Sequence, residues 1–165
     1  MISVILKCII KEIKEETVKR KIRKNVFETN SSSVHSLVIS NEGREQSEFK
    51  LNKDGEIEID FGQFGKDERI YSSQYDKLSY LITCLYYLSG YDISDIYDKW
   101  EFEQIQDAVC KYTGATGIKI LGKQEPEIDH QSQPYGDIKI INVYDEDAVI
   151  NFVFNKYVSL KTDCD

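Results

Sequence analysis

Between Tyr75 and Ser89 the apolar residues fall three and four apart, at Leu78, Leu81, Ile82, Leu85 and Leu88, and Gly90 follows as a stop. That spacing predicts an α-helix with one face turned to a core. A second helix is expected from a Ser94 cap to about Tyr112, with Tyr97, Trp100, Ile105 and Val109 on its apolar side and Gly114 at its end. Asp145-Glu146-Asp147 places negative charge at the start of a shorter helix through Phe154, where the helix dipole favours it. Residues 2–16 repeat the helical pattern through Ile2, Ile5, Leu6, Ile9, Ile10 and Ile13.

Short β-patterns lie between the helices. Leu37-Val38-Ile39, Glu48 to Leu51, Glu56 to Phe61, Ile118 to Leu121, Ile138 to Val143 and Tyr157 to Leu160 read as strands. Asn52-Lys53-Asp54-Gly55 is the turn between the second and third. A chain of 165 residues can bury a core without staples, and 41% hydrophobic residues argue against general disorder. The expected fold is therefore a single α+β domain: a mixed, mostly antiparallel sheet with two to three packed helices. Residues 1–24 form an N-terminal amphipathic helix and basic link, and residues 25–165 form the acidic domain.

Charge narrows the function. The net charge is −8, yet residues 1–24 carry +5, so the remaining body carries −13. Phosphates repel such a body, which excludes nucleic-acid binding over most of its surface and leaves cations, metals or a basic groove on another protein as partners. No apolar run reaches the ~20 residues that span a bilayer. Residues 2–13, broken by Lys7, Lys11 and Glu12, make a poor signal peptide. Cys8, Cys84, Cys110 and Cys164 show no Cys-x-x-Cys or disulfide spacing and read as thiols of a cytoplasmic protein.

Both histidines sit in short polar motifs, Glu28-Thr29-Asn30-Ser31-Ser32-Ser33-Val34-His35-Ser36 and Asp129-His130-Gln131-Ser132. Neutral imidazole is the commonest protein metal ligand, and its second nitrogen needs an acceptor to fix the tautomer. The fold could bring His35 and His130 into one polar site; otherwise they are two solvated loop histidines. A serine nucleophile beside His35 is unsupported, because no Gly-x-Ser-x-Gly elbow occurs. Walker and dinucleotide fingerprints are missing too.

These residues carry a resemblance. Residues 26–36, Val-Phe-Glu-Thr-Asn-Ser-Ser-Ser-Val-His-Ser, resemble a signature of small proteins from bacteriophages and mobile elements of Gram-positive bacteria, usually VFETNSSSTHS. Phe61-Gly62-Gln63-Phe64-Gly65 is similar to their FGEFGW stretch, Lys77-Leu78-Ser79-Tyr80-Leu81 to their Lys-Leu-x-Tyr-Leu helix, and Asp129-His130-Gln131-Ser132 to their Asp-His-x-Ser motif. The end of the chain, from Phe152 to Asp163, resembles their closing elements. The resemblance covers about residues 19–165. It departs at Lys66, where the family often has tryptophan, at Gln63, and in the N-terminal segment. Such proteins include inhibitors of type II CRISPR nucleases, and some look like metalloproteins. The resemblance implies a stoichiometric anti-CRISPR inhibitor in the host cytoplasm, a monomer or homodimer, with no direct nucleic-acid or membrane partner. The alternative is a metal-dependent hydrolase of a nucleotide or other phosphorylated substrate.

Two histidines need oxygen donors to make a metal site. Glu28 and Asp129 lie beside them in the matched motifs, and Asp60 is third. By ligand type the set suits zinc, manganese or iron, zinc foremost. Asn30, Ser31, Ser32, Ser33 and Ser132 would orient those ligands through hydroxyl and amide hydrogen bonds. A second feature fits inhibition. Asp54, Glu56, Glu58 and Asp60 alternate with Gly55, Ile57 and Ile59, so a strand would aim all four carboxylates to one side, about 6.6–6.8 Å apart. Such a row could occupy a basic channel meant for DNA or heteroduplex, or could simply be the wet face of a half-buried strand. Asp92, Asp95 and Asp98 extend the acidic surface. No catalytic residue is assigned.

Overall fold

A computed structural model of the chain describes residues 43–65, 69–128, 138 and 140–162. Its centre is the helix expected from the leucine spacing, α1 (Gln74–Leu88). Ser73 caps it: the hydroxyl accepts from the Asp76 amide at 3.0 Å and donates to the Asp76 carboxylate at 2.6 Å. Every residue from 77 to 85 is buried, so this helix is covered on all sides rather than along one face. The polar residues among them then require partners. Lys77 donates to the carbonyls of Asn155 (2.9 Å) and Val158 (3.3 Å). Ser79 donates to the Asp60 carbonyl, while Thr83 accepts from the Gly62 amide and donates to the Ser79 carbonyl. Its polar side chains thus tie the central helix to a strand connection on one side and a C-terminal turn on the other.

The second expected helix is broken. Asp92 caps a short α2 (Ile93–Tyr97), the chain turns at Asp98-Lys99, and α3 (Trp100–Thr113) starts afresh. Gly114, at φ +77°, closes α3 in the left-handed conformation that glycine adopts without penalty. The expected third helix is present as α4 (Glu146–Phe154), with the Asp145 carboxylate accepting from the amides of Asp147 and Ala148. It buries residues 149–154 against α1 and α3.

Three strand pairs surround this core. Strand β1 (Glu56–Ile59) runs parallel to β4 (Gly117–Ile120), with Ile57 opposite Ile118 and Ile59 opposite Ile120. Farther along the same two segments, β2 (Gln63–Phe64) runs parallel to β5 (Glu127–Ile128). Strand β3 (Arg69–Tyr71) pairs antiparallel with β6 (Leu160–Thr162). The α+β class is as expected, but among the described residues two of the three pairs are parallel, which corrects the mostly antiparallel sheet. The physical reason is the long crossover: α1, α2 and α3 all lie between β1 and β4, and such a connection returns the chain in the same direction. Residues 138 and 140–143 are in no strand, with turns at 140 and 143, and the last strand begins at Leu160 rather than Tyr157. The expected strand at Glu48 to Leu51 is reduced to one bridge, Leu51 to Ile57. Leu37-Val38-Ile39 and the N-terminal helix lie outside the described residues.

Candidate functional site

Strand β1 alternates as its sequence requires: Ile57 and Ile59 are wholly buried, while Glu56 is half-buried and Glu58 exposed. Asn52 organises the turn ahead of it. Its carbonyl oxygen accepts from the amides of Asp54 and Glu56, and its amide nitrogen donates to Glu56 Oε2 at 3.0 Å and Glu58 Oε1 at 3.4 Å. Lys119, beside Glu58 on β4, approaches it to 3.6 Å. Asp54 is exposed in the turn.

Asp60 leaves the row. The strand ends at Ile59, and Asp60 turns inward to only 4% exposure. Its Oδ1 accepts from three backbone amides, those of Phe61 (3.0 Å), Lys123 (2.9 Å) and Gln124 (3.1 Å). The interval between β4 and β5 is longer than that between β1 and β2, so the ladder has a gap, and this carboxylate satisfies the amides exposed there. Of the four expected carboxylates the strand therefore holds two, Glu56 and Glu58, with Asp54 in the turn ahead of it and Asp60 turned inward beyond it.

The second acidic cluster lies at α2. Asp92 accepts from the Ser94 amide (2.8 Å) and hydroxyl (2.6 Å), which holds its carboxyl below the usual range. Asp95 and Asp98 are exposed on the same short segment. Aromatic rings interleave with them. Tyr91 is 61% exposed at φ +73°, a backbone strained for a bulky residue, and its ring meets Tyr86 and Tyr87 edge-on. Trp100 is 61% exposed and Tyr97 44% exposed. Both were expected on an apolar helix face; the break at Asp98-Lys99 resets the helical phase and turns them outward.

The structure brings the Asp98 end of the second cluster towards the β1–β4 pair. Tyr97 and Gln106 flank β4: the Ile120 amide donates to the Tyr97 hydroxyl at 2.9 Å, and the Ile118 amide to Gln106 Oε1 at 3.1 Å. A Cβ placed on Gly117 would lie 3.6 Å from Gln106 Oε1 and 4.0 Å from Glu56 Oε1. Gly117 is thus the bare strip joining the β1 carboxylates to the helical side. There an open groove of about 450 Å³ runs between Tyr97, Asp98, Lys99, Trp100, Glu103 and Gln106, over Phe102. This groove went unforeseen in the sequence; the tyrosine-aspartate-tryptophan interleaving of residues 91–100 was its only available signal.

His35, His130, Glu28, Asp129, Asn30, Ser31, Ser32, Ser33 and Ser132 lie outside the described residues. Among the described residues no group of three or more His, Cys, Asp or Glu is arranged to hold a metal ion. Asp60 is the one candidate ligand that is described, and its Oδ1 is already engaged by backbone amides. Cys84 is buried, and burial pushes its thiol up to about 12, so it stays protonated and inert. No described helix is long and apolar enough to cross a membrane. Compared with known proteins, the chain is matched by no family model, no curated protein and no solved structure.

Proposed function

We propose that the protein is a phage-encoded anti-CRISPR inhibitor that binds a type II RNA-guided DNA nuclease in the host cytoplasm and blocks loading of DNA. The observation that carries the reading is the pair of solvent-facing acidic clusters, Asp54, Glu56 and Glu58 at β1 and Asp92, Asp95 and Asp98 at α2, which approach one another through Gln106 and Gly117. Regular negative charge on a rigid scaffold competes for the basic channel in which such a nuclease holds its heteroduplex. The resemblance of the polar motifs to phage proteins supplies the class of partner. A structural divalent ion, zinc by ligand type, belongs to the same reading, held by His35 and His130 with Glu28 and Asp129.

The test is a titration of the purified protein into a guide-loaded type II nuclease, with target cleavage as readout. Complete inhibition near one equivalent, weakening as salt rises, is the expected result. Unchanged cleavage at large excess would remove this partner. Metal analysis of the same preparation is expected to give one zinc per chain, lost in a His35→Ala/His130→Ala double variant.

A further inference from the structure

The groove at the junction of α2 and α3 has a composition that the acidic face alone does not explain. Trp100 exposes 61% of its surface, and among the described residues its indole makes no hydrogen bond and no ring contact. Trp100 lines the groove with most of its surface open to solvent. Glu103 lies one turn along the same helix, on the face that Trp100 occupies. Some exposed carboxylates are paired, as Glu146 is with Lys111 and Asp147 with Arg44. Asp98 and Glu103 have no such partner among the described residues. Lys99, at the groove's rim, opposes them with one positive charge, and the start of α3 adds its positive dipole end. Glu101, in the same first helical turn, adds a third carboxylate close by, its Oε1 accepting from the Tyr144 hydroxyl at 3.0 Å.

We propose that this groove receives an arginine side chain from the basic surface of the partner protein, its guanidinium stacked on Trp100 and hydrogen-bonded to Asp98 and Glu103. Arginine fits where lysine does not, because a planar guanidinium covers the indole face and still presents its N–H fork to a carboxylate. The inference rests on the binding reading above and names the chemistry of one contact within it.

Trp100 is the chain's single tryptophan, so its emission reports on the groove directly. The experiment titrates the full-length protein with blocked tetra-arginine, tetra-lysine and tetra-glutamate peptides at low salt. The expected result is a saturable change in Trp100 emission with tetra-arginine, at least ~10-fold tighter than with tetra-lysine and absent with tetra-glutamate. An Asp98→Asn/Glu103→Gln variant, which keeps the tryptophan, is expected to bind tetra-arginine about 10-fold more weakly. Equal response to the lysine peptide, no saturable response, or unchanged binding by that variant would overturn the proposal. Nuclease titration separates it from the parent reading. Inhibition by wild type that Trp100→Ala leaves intact overturns the groove contact and leaves the inhibitor reading standing. Arginine binding at Trp100 by a protein that fails to inhibit the nuclease sinks the inhibitor reading and supports the groove chemistry.

Discussion

Lys77 shows how one side chain can invert its ordinary role. It is only 1% exposed, and its ammonium donates to two carbonyls, with no carboxylate in ion-pair contact among the described residues. Burial pulls its pKa from 10.5 down to about 8, against weaker upward pulls from Glu45 and Glu48. Protons therefore favour the unfolded chain between these two values. Lys77's contribution to stability is full above 10.5 and is lost as pH falls through about 8, at up to roughly 1.4 kcal/mol per pH unit. A Lys77→Met variant should lack this slope, so its deficit against wild type should grow from pH 8 to pH 10.5 by about 3 kcal/mol, read by urea unfolding at each pH. A deficit that stays constant over this range would mean the amine is not desolvated. Asp60 makes the complementary case. Asp60→Ala strips the acceptor from three backbone amides and should cost about 2–3 kcal/mol, whereas Asp60→Asn keeps an oxygen there and should cost less. Bound metal unchanged in both variants would separate this loop-holding role from ligation. Neither role was legible in the sequence: a lone lysine reads as solvent-facing, and Asp60 continues a perfect alternation whose strand ends one residue earlier.

Helices were the readable elements, because apolar spacing and capping chemistry are local. The 75–89 expectation differs from α1 by one residue at each end, and Asp145 caps α4 where the acidic triplet lies. Ser73 should therefore carry a measurable share of α1. Ser73→Ala is expected to lower stability by about 1 kcal/mol, with Ser73→Asp restoring most of it, in thermal or urea unfolding. Equal destabilisation by both variants would assign the loss to something other than the cap. Strands were less legible for a physical reason. Gln63–Phe64 and Glu127–Ile128 are two-residue strands with no periodicity to read, and their partners lie far away in sequence. Arg69–Tyr71 likewise becomes a strand only because Leu160–Thr162 meets it. The break between α2 and α3 is hidden in the sequence because Tyr97, Trp100, Ile105 and Val109 are compatible with one unbroken helix. Its consequence is that two aromatics expected in the core become groove walls.

At the scale of the whole molecule, two acidic clusters some forty residues apart in sequence approach one another because β1 and β4 lie side by side, with α3 flanking β4. Each cluster read separately is an ordinary wetted face. Their union is what a basic channel would meet, and it gives a prediction about additivity. Neutralising Asp54, Glu56 and Glu58 to their amides should weaken nuclease inhibition about 10-fold, and neutralising Asp92, Asp95 and Asp98 should do the same. Both sets together should flatten the salt dependence beyond either alone, because screening acts on charges that face the same partner. The replacements are mostly at exposed sites, so thermal midpoints should move little; Glu56, which accepts from Asn52, is the position to check first. If one set abolishes inhibition and the other leaves both potency and salt slope untouched, the partner reads only half of the face. The proximity of the two clusters would then be a product of the fold rather than of binding.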